Sequence, residues 1–125
     1  MQYLLLIYDN EKAFGSFPKD RIDRIMAGYN EFTQSIVKSG HFRAGSQLQP
    51  TGAATTVRER DGKVVMSDGP FAETKEQLGG YYLVECNDLD EALDIAKRIP
   101  SVRSGSIEVR PLVPMSAAAR TPPAT

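Results

Sequence analysis

The sequence has little of the chemistry that most readily identifies a function. It contains one cysteine and one histidine among 125 residues, so an internal disulfide is impossible, and a zinc site would need carboxylates to complete it. The phosphate-loop, dinucleotide-binding, zinc-protease, dithiol and nucleophile-elbow motifs are all missing. We therefore expect neither a metal nor a cofactor, and we interpret Cys86 as a packing residue.

Charge and hydropathy exclude further classes of protein. The chain has fifteen Lys and Arg and sixteen Asp and Glu, which gives a net charge of -1. It therefore has no excess of basic residues to neutralise nucleic acid phosphates. No apolar run approaches the roughly 20 residues of a membrane span. The apolar opening reaches Asp9 without the basic region or cleavage site of a signal peptide. We expect a cytoplasmic protein that binds neither nucleic acid nor a membrane.

The length and composition predict one folded domain followed by a tail. A chain of 125 residues with 41% hydrophobic residues is long enough for one hydrophobic core and too short for two ordinary domains. Residues 114–125 are mainly Ala, Pro, Thr and Ser, a composition that buries little apolar surface. The predicted domain therefore covers residues 1–113, and the tail covers 114–125.

Hydrophobic patterning predicts two main helices and six strands. A continuous apolar run at residues 2–8 is typical of a strand covered on both faces. Apolar residues recur at helical spacing from Pro18 to residue 39, and Gly40 is predicted to take a left-handed conformation that ends this helix. Asp61-Gly62 predicts a tight hairpin turn, and Asp88 begins the second helix. Residues 9–17 are predicted as a turn region and 68–80 as a long loop. The predicted strands are 2–8, 42–49, 54–60, 63–67, 81–85 and 106–112.

The order of these elements predicts an α+β fold. Without the central hairpin it reads strand, helix, strand, strand, helix, strand, which is a ferredoxin-like split βαβ arrangement with both helices on one face of an antiparallel sheet. Two helices cover only one face, so the apolar residues on the other face need a second cover. A homodimer formed through the sheets would supply it.

The segment Ser67 to Tyr82, SDGPFAETKEQLGGYY, resembles the signature of the DGPF group within the YCII-related family. The resemblance extends to residues 3–8, 40–50, 88–92 and 107–111. It implies a dimeric α+β barrel and little about activity, because most members of the family have no established reaction. Such proteins are often encoded beside extracytoplasmic-function sigma factors, which implies a regulatory context. The wider family is associated with a histidine and aspartate pair, but this sequence has no second histidine to complete an equivalent pair.

Asp68 is the first candidate site residue. It stands before Gly69-Pro70, whose restricted backbone holds it in one place. In one interpretation its carboxylate caps the turn by accepting backbone N–H bonds. In the other it faces a ligand and acts as a general acid or base.

The other candidates lie in or beside the same motif, except for His41, which follows the end of the long helix. Phe71 is predicted to pack against the sheet or a dimer partner. The loop is long for a connection between strands, so its charged residues could bind a polar ligand, or they could form a solvated turn. Gly79-Gly80 would allow close approach of a ligand or form a bulge. The predicted ligand-binding residues are Phe71, Glu73, Lys75, Glu76 and His41.

Three functions remain open at this point. The first is binding of a small polar molecule in a cleft of a homodimer, in a regulatory context. The second is a small-molecule enzyme that uses acid-base chemistry with Asp68 as proton carrier. The third is a purely structural dimer in which the motif stabilises a turn.

Overall fold

The structure is a computed structural model, and it describes residues 1–114. Apart from Pro114, the predicted tail at 114–125 lies outside the described residues. Residues 1–114 form three helices and six strands, with short 3-10 turns at Thr51–Ala53 and Pro100–Arg103. The helices are α1 (Glu11–Gly15), α2 (Lys19–Lys38) and α3 (Leu89–Ala96). The strands are β1 (Gln2–Asp9), β2 (Phe42–Gln47), β3 (Thr55–Arg60), β4 (Lys63–Asp68), β5 (Gln77–Glu85) and β6 (Ser106–Pro111).

Four strands form one antiparallel sheet in the order β2-β5-β1-β6. The two strands inserted between β2 and β5, β3 and β4, form a separate hairpin. Without that hairpin the strand order is that of a ferredoxin-like split βαβ fold. The predicted fold class, an α+β domain with an inserted hairpin, is confirmed.

The core lies between one face of this sheet and the helices. Alternate residues of β1 and β5 are buried there, and they meet Phe32 and Ile36 of α2. Leu5, Ile36, Val84 and Ile99 have almost no exposed surface. The remaining residues of β1 are only half-buried, so the prediction that this strand is covered on both faces is wrong for a single chain.

The outer face of the sheet carries an apolar group of its own. Leu4 lies opposite Leu83, and Leu6 lies opposite Tyr81. All four are half-buried and point away from the helices, because side chains alternate along a strand. We call them the outer patch.

Two local predictions, a tight hairpin turn and a helix end, are confirmed by the backbone. Asp61 and Gly62 have φ of 52° and 75°, as a two-residue hairpin turn of the primed type requires. Gly40 has φ of 84°, and the following His41 N–H donates to the carbonyl of Ile36 at 3.0 Å. This is the Schellman pattern that closes a helix.

The structure differs from the predictions in two segments, the one that follows β1 and the start of β5. Residues 11–15, predicted as a turn, form α1, because the side chain of Asn10 accepts a hydrogen bond from Ala13 N at 3.0 Å and caps it. β5 begins at Gln77, four residues earlier than predicted. Gly79 is an extra residue opposite the Ile7–Tyr8 step, so this glycine forms a bulge within the strand.

α2 is the longest helix, with 20 residues. It buries Phe32 and Ile36 against the sheet and leaves Val37 exposed on its other side. Within residues 1–114, no helix is both long and apolar enough to cross a membrane.

The β3–β4 hairpin presents apolar side chains to solvent. Val57 pairs with Met66 and Glu59 pairs with Val64, so Val57, Val64 and Met66 share one face. Their exposed fractions are 62%, 66% and 70%. We call these three residues the hairpin face; the side chain of Val65 points to the opposite side.

Candidate functional site

A cavity of about 560 Å³ lies between α2 and the sheet, within the roughly 300 to 1,000 Å³ usual for small-molecule sites. It reaches α1, the second half of β2 and the start of β5. Its walls are largely apolar, with four aromatic residues prominent among them. These are Phe14, Tyr29, Phe42 and Tyr82.

Four glycines lie in the wall of the cavity. Gly15, Gly45, Gly79 and Gly80 all line the cavity. A Cβ at Gly45 would lie 2.7 Å from Cδ1 of Tyr82, too close for both groups to keep their positions. Gly45 therefore allows the Tyr82 ring to lie across β2.

Hydroxyl groups form a connected network at the α2 wall. The Thr33 hydroxyl donates to the backbone carbonyl of Tyr29 at 2.8 Å. Because a threonine hydroxyl has only one hydrogen, the Tyr82 hydroxyl, 2.6 Å away, must donate to Thr33 Oγ1. The Tyr82 oxygen therefore has lone pairs left to accept a hydrogen bond.

Tyr29 is the second phenol of the cavity. Its hydroxyl lies 2.5 Å from Oγ of Ser101, which is buried in the 3-10 turn after α3. Burial raises the pKa of Tyr29; hydrogen bonds from Ser101 oppose this, and the nearby charge of Asp9 adds to it. The phenol therefore stays protonated at neutral pH and can serve as a hydrogen-bonding group.

Asp9 and Glu11 also line the cavity. Asp9 accepts hydrogen bonds from Ser104 Oγ at 2.9 Å and from Asn10 N at 3.1 Å. Glu11 accepts from both N and Oγ1 of Thr51, each at 2.8 Å. These partners are all neutral, and neither carboxylate forms an ion pair within residues 1–114.

Asp68 does not line this cavity. It is the last residue of β4 and is exposed, and no group in residues 1–114 donates a hydrogen bond to its carboxylate. The turn is held instead by Gly69 N, which donates to the carbonyl of Ala54 at 2.7 Å, and by Thr56 Oγ1, which donates to the carbonyl of Gly69 at 2.8 Å. The turn-capping interpretation of Asp68 is therefore wrong in this chain, and its catalytic role stays a prediction.

Phe71 has 75% of its surface exposed. The prediction that it packs on the sheet of its own chain is therefore wrong. Its carbonyl accepts a hydrogen bond from Arg58 Nη2 at 2.8 Å, which fixes the loop to β3. Packing of Phe71 against a partner stays a prediction.

The charged residues of the loop are not gathered around the cavity. Glu73 and Lys75 are exposed. Glu76 accepts a hydrogen bond from Ser106 Oγ at 2.8 Å, so it connects the loop to the start of β6. Their predicted role in ligand binding has no support from this arrangement and stays a prediction.

His41 directly precedes β2 and does not line the cavity, although the next residue, Phe42, does. Its Nε2 is 2.9 Å from Oε1 of Glu91, and its Nδ1 is 2.7 Å from Oγ of Ser39. The pair connects the end of α2 to the start of α3.

Cys86 is the single cysteine, and it is buried near this pair. Burial raises the pKa of its thiol, and the charge of Glu91 adds a smaller effect in the same direction. The thiol therefore stays protonated, in agreement with a packing role.

The His41–Glu91 pair predicts a pH dependence of stability. The Asn87 backbone N–H lowers the pKa of Glu91; desolvation opposes this, and His41 adds to the lowering. A lowered pKa means that the stabilisation is present above the unfolded value of 4.5 and is lost as pH falls through the lower folded value. Glu91→Gln should reduce stability at pH 7 and flatten its fall between about pH 5 and pH 3. Melting curves across this range check it, with the exposed Asp94→Asn as control; an unchanged slope would contradict the role of Glu91.

The observed topology and the cavity define a class: a ferredoxin-like α+β domain with an inserted hairpin and a partly open cavity of small-molecule size. The family model of the YCII-related domain matches residues 1–116, and the chain belongs to this family. An uncharacterised protein of Rhizobium meliloti (strain 1021) is 41% identical over 114 residues, which cover 90% of this chain and 92% of that protein.

A solved structure shares the fold. It is 5-chloro-2-hydroxyhydroquinone dehydrochlorinase from Burkholderia phenoliruptrix AC1100, in complex with 2,5-dihydroxybenzoquinone. The TM-score is 0.52 at 15% sequence identity, over 90% of this chain and 94% of that chain. At this identity the likeness supports the fold alone.

Sequence reasoning missed the residues of the cavity. One available signal was the pair Tyr29 and Thr33, which place two hydroxyls four residues apart on the apolar face of α2. A second signal was Asp9, a carboxylate at the end of an apolar strand. The pair Gly79-Gly80 of β5 was a third, because it allows close approach of a ligand or forms a bulge. Gly45 of β2 carried no local signal, because its effect depends on which strands become neighbours.

Proposed function

We propose that this chain binds a small molecule in the cavity beneath α2. The observation that carries the proposal is the space of about 560 Å³, lined by apolar and aromatic side chains with a few polar atoms. A site of this kind holds the body of a ligand by burial and orients it by hydrogen bonds.

The cavity wall favours a ligand with an apolar body. Ile7, Ile25 and Met26 surround the space together with the aromatic residues. Polar contacts come from the hydroxyls of Tyr29 and Tyr82 and from the carboxylates of Asp9 and Glu11. The small polar molecule expected from the sequence is therefore revised to a small molecule with an apolar body, such as an aromatic ring, that carries hydrogen-bonding groups on part of its edge.

The structural neighbour supports a ligand that contains a ring. Its complex contains a substituted six-membered ring, which shows that a protein of this fold can bind such a compound. The shared fold does not carry the dehydrochlorinase reaction to this chain. Binding in a regulatory context is the main proposal, and an acid-base enzyme with Asp68 as proton carrier remains the alternative.

Filling the cavity tests the proposal. Gly15 lines it, and a Cβ there would meet no atom within 4 Å, so Gly15→Leu should leave the melting temperature within about 2 °C. The added side chain would occupy ligand space and weaken binding of ring-sized fragments at least about tenfold. Fragment titrations followed by amide NMR shifts measure this.

Gly52→Leu is the matched control. A Cβ at Gly52 would also meet no atom within 4 Å, and Gly52 does not line the cavity. This substitution should leave fragment affinity unchanged. If Gly15→Leu also leaves affinity unchanged, the fragments do not occupy this cavity.

The homodimer belongs to the same proposal. The outer patch and the hairpin face are two apolar surfaces that the helices of the chain do not cover. In a symmetric dimer each chain presents the same surfaces, so one association can cover both pairs. The occupant that we propose for these surfaces is a second copy of the chain.

A further inference from the structure

The charges that line the cavity have one sign. Asp9 and Glu11 are both acidic, and no Lys, Arg or His among residues 1–114 contributes to the lining. Their hydrogen-bond partners, Ser104, Asn10 and Thr51, are neutral. These hydrogen bonds therefore solvate the carboxylates without neutralising their charge.

The apolar walls add a second, independent preference. Phe14, Tyr29, Phe42 and Tyr82 all line this one space. Aromatic ring faces attract cations such as substituted ammonium groups, and more strongly when water is excluded. The same rings can also bury the apolar part of a ligand, whatever charge the ligand carries elsewhere. The aromatic walls therefore accept a cation, and the carboxylates disfavour an anion.

The polar atoms of the network favour the same kind of ligand. The hydrogen of the Tyr82 hydroxyl is used by Thr33, so its oxygen is available as an acceptor. The carboxylates of Asp9 and Glu11 are acceptors only. A ligand that presents hydrogen-bond donors can therefore bond to each of these three groups.

We infer that the ligand is a small organic cation: an ammonium group that lies beside Asp9 and Glu11, carried on an apolar body that packs among the aromatic rings. This inference rests on the proposed function, because it names the chemical class of ligand for the same cavity. It goes beyond that function by assigning a charge to the ligand and a selectivity role to the two carboxylates.

Three probes of similar size and different charge test it. They are 2-phenylethylamine in its protonated form, neutral 2-phenylethanol and anionic phenylacetate, titrated at pH 7 with amide NMR shifts as the readout. The cation should bind tightest, at least about tenfold better than phenylacetate at low salt. The difference should shrink as the ionic strength is raised to about 0.3 M, where exposed charges are screened.

Two single variants locate the effect. Asp9→Asn and Glu11→Gln keep the shape of each side chain, and each should weaken the cation several-fold while leaving 2-phenylethanol unchanged. Glu31→Gln removes a charge from the exposed face of α2 and should alter none of the affinities. Using two variants protects the test if Glu11→Gln disturbs the Thr51 turn.

The outcomes separate this inference from the proposal on which it rests. If phenylacetate binds in the cavity as tightly as the cation, or if both variants retain the full preference for the cation, the charge assignment is overturned and the cavity function stands. If none of the three probes shifts the amides around Tyr29, Thr33 and Tyr82, the cavity function is overturned as well.

Discussion

Replacing Val64 and Met66 together by lysine is expected to convert a dimer of this protein into a monomer. Both side chains belong to the hairpin face and are largely exposed in the single chain. Burying two ammonium groups in an apolar contact would cost several kcal/mol, more than a modest interface can offset. Sedimentation should give about twice 13.7 kDa for the parent chain and 13.7 kDa for the double variant.

Val65→Lys is the matched control for this experiment. Val65 is 49% exposed and lies between the two substituted positions, on the opposite side of the hairpin. If the interface covers only the hairpin face, the Val65→Lys variant should sediment with the same mass as the parent dimer. A parent chain that sediments as a monomer, or a double variant that remains dimeric, would contradict the proposed interface.

The substitution Gly105→Ala is expected to lower stability more than any other glycine change. A Cβ at this position would lie 1.9 Å from the carbonyl oxygen of Tyr8, and a backbone atom in a central strand cannot rotate away. The end of β1 would have to shift, and Asp9 with it. We expect a loss of about 3 kcal/mol, measured by chemical denaturation.

Gly52→Ala provides the comparison, because a Cβ there meets no atom within 4 Å. It should change stability by less than about 0.5 kcal/mol. If Gly105→Ala unfolds at the same denaturant concentration as the parent, the close approach of the Gly105 segment to β1 is not present in the folded protein.

Sequence reasoning reached the fold because its signals are local. The turn at Asp61-Gly62 and the helix end at Gly40 each require a positive φ, and these residues have it. The apolar spacing of α2 follows from the helical repeat. These features depend on neighbours in the chain, so one sequence is enough to predict them.

The cavity depends instead on contacts between distant segments. Gly45 faces Tyr82, and Glu11 binds Thr51, at separations of 37 and 40 residues along the chain. Local patterns do not indicate such pairs. The conspicuous motif at Asp68 and Phe71 drew attention to the hairpin loop, whereas the cavity lies beneath α2, so the predicted site residues and the cavity do not coincide.

The position of a bound fragment tests the central claim most directly. A crystal structure of the protein with a ring-sized ligand should show the ligand between α2 and the sheet, in contact with Tyr29 and Tyr82. A ligand bound only at the hairpin loop near Asp68, with the space beneath α2 empty, would contradict the account.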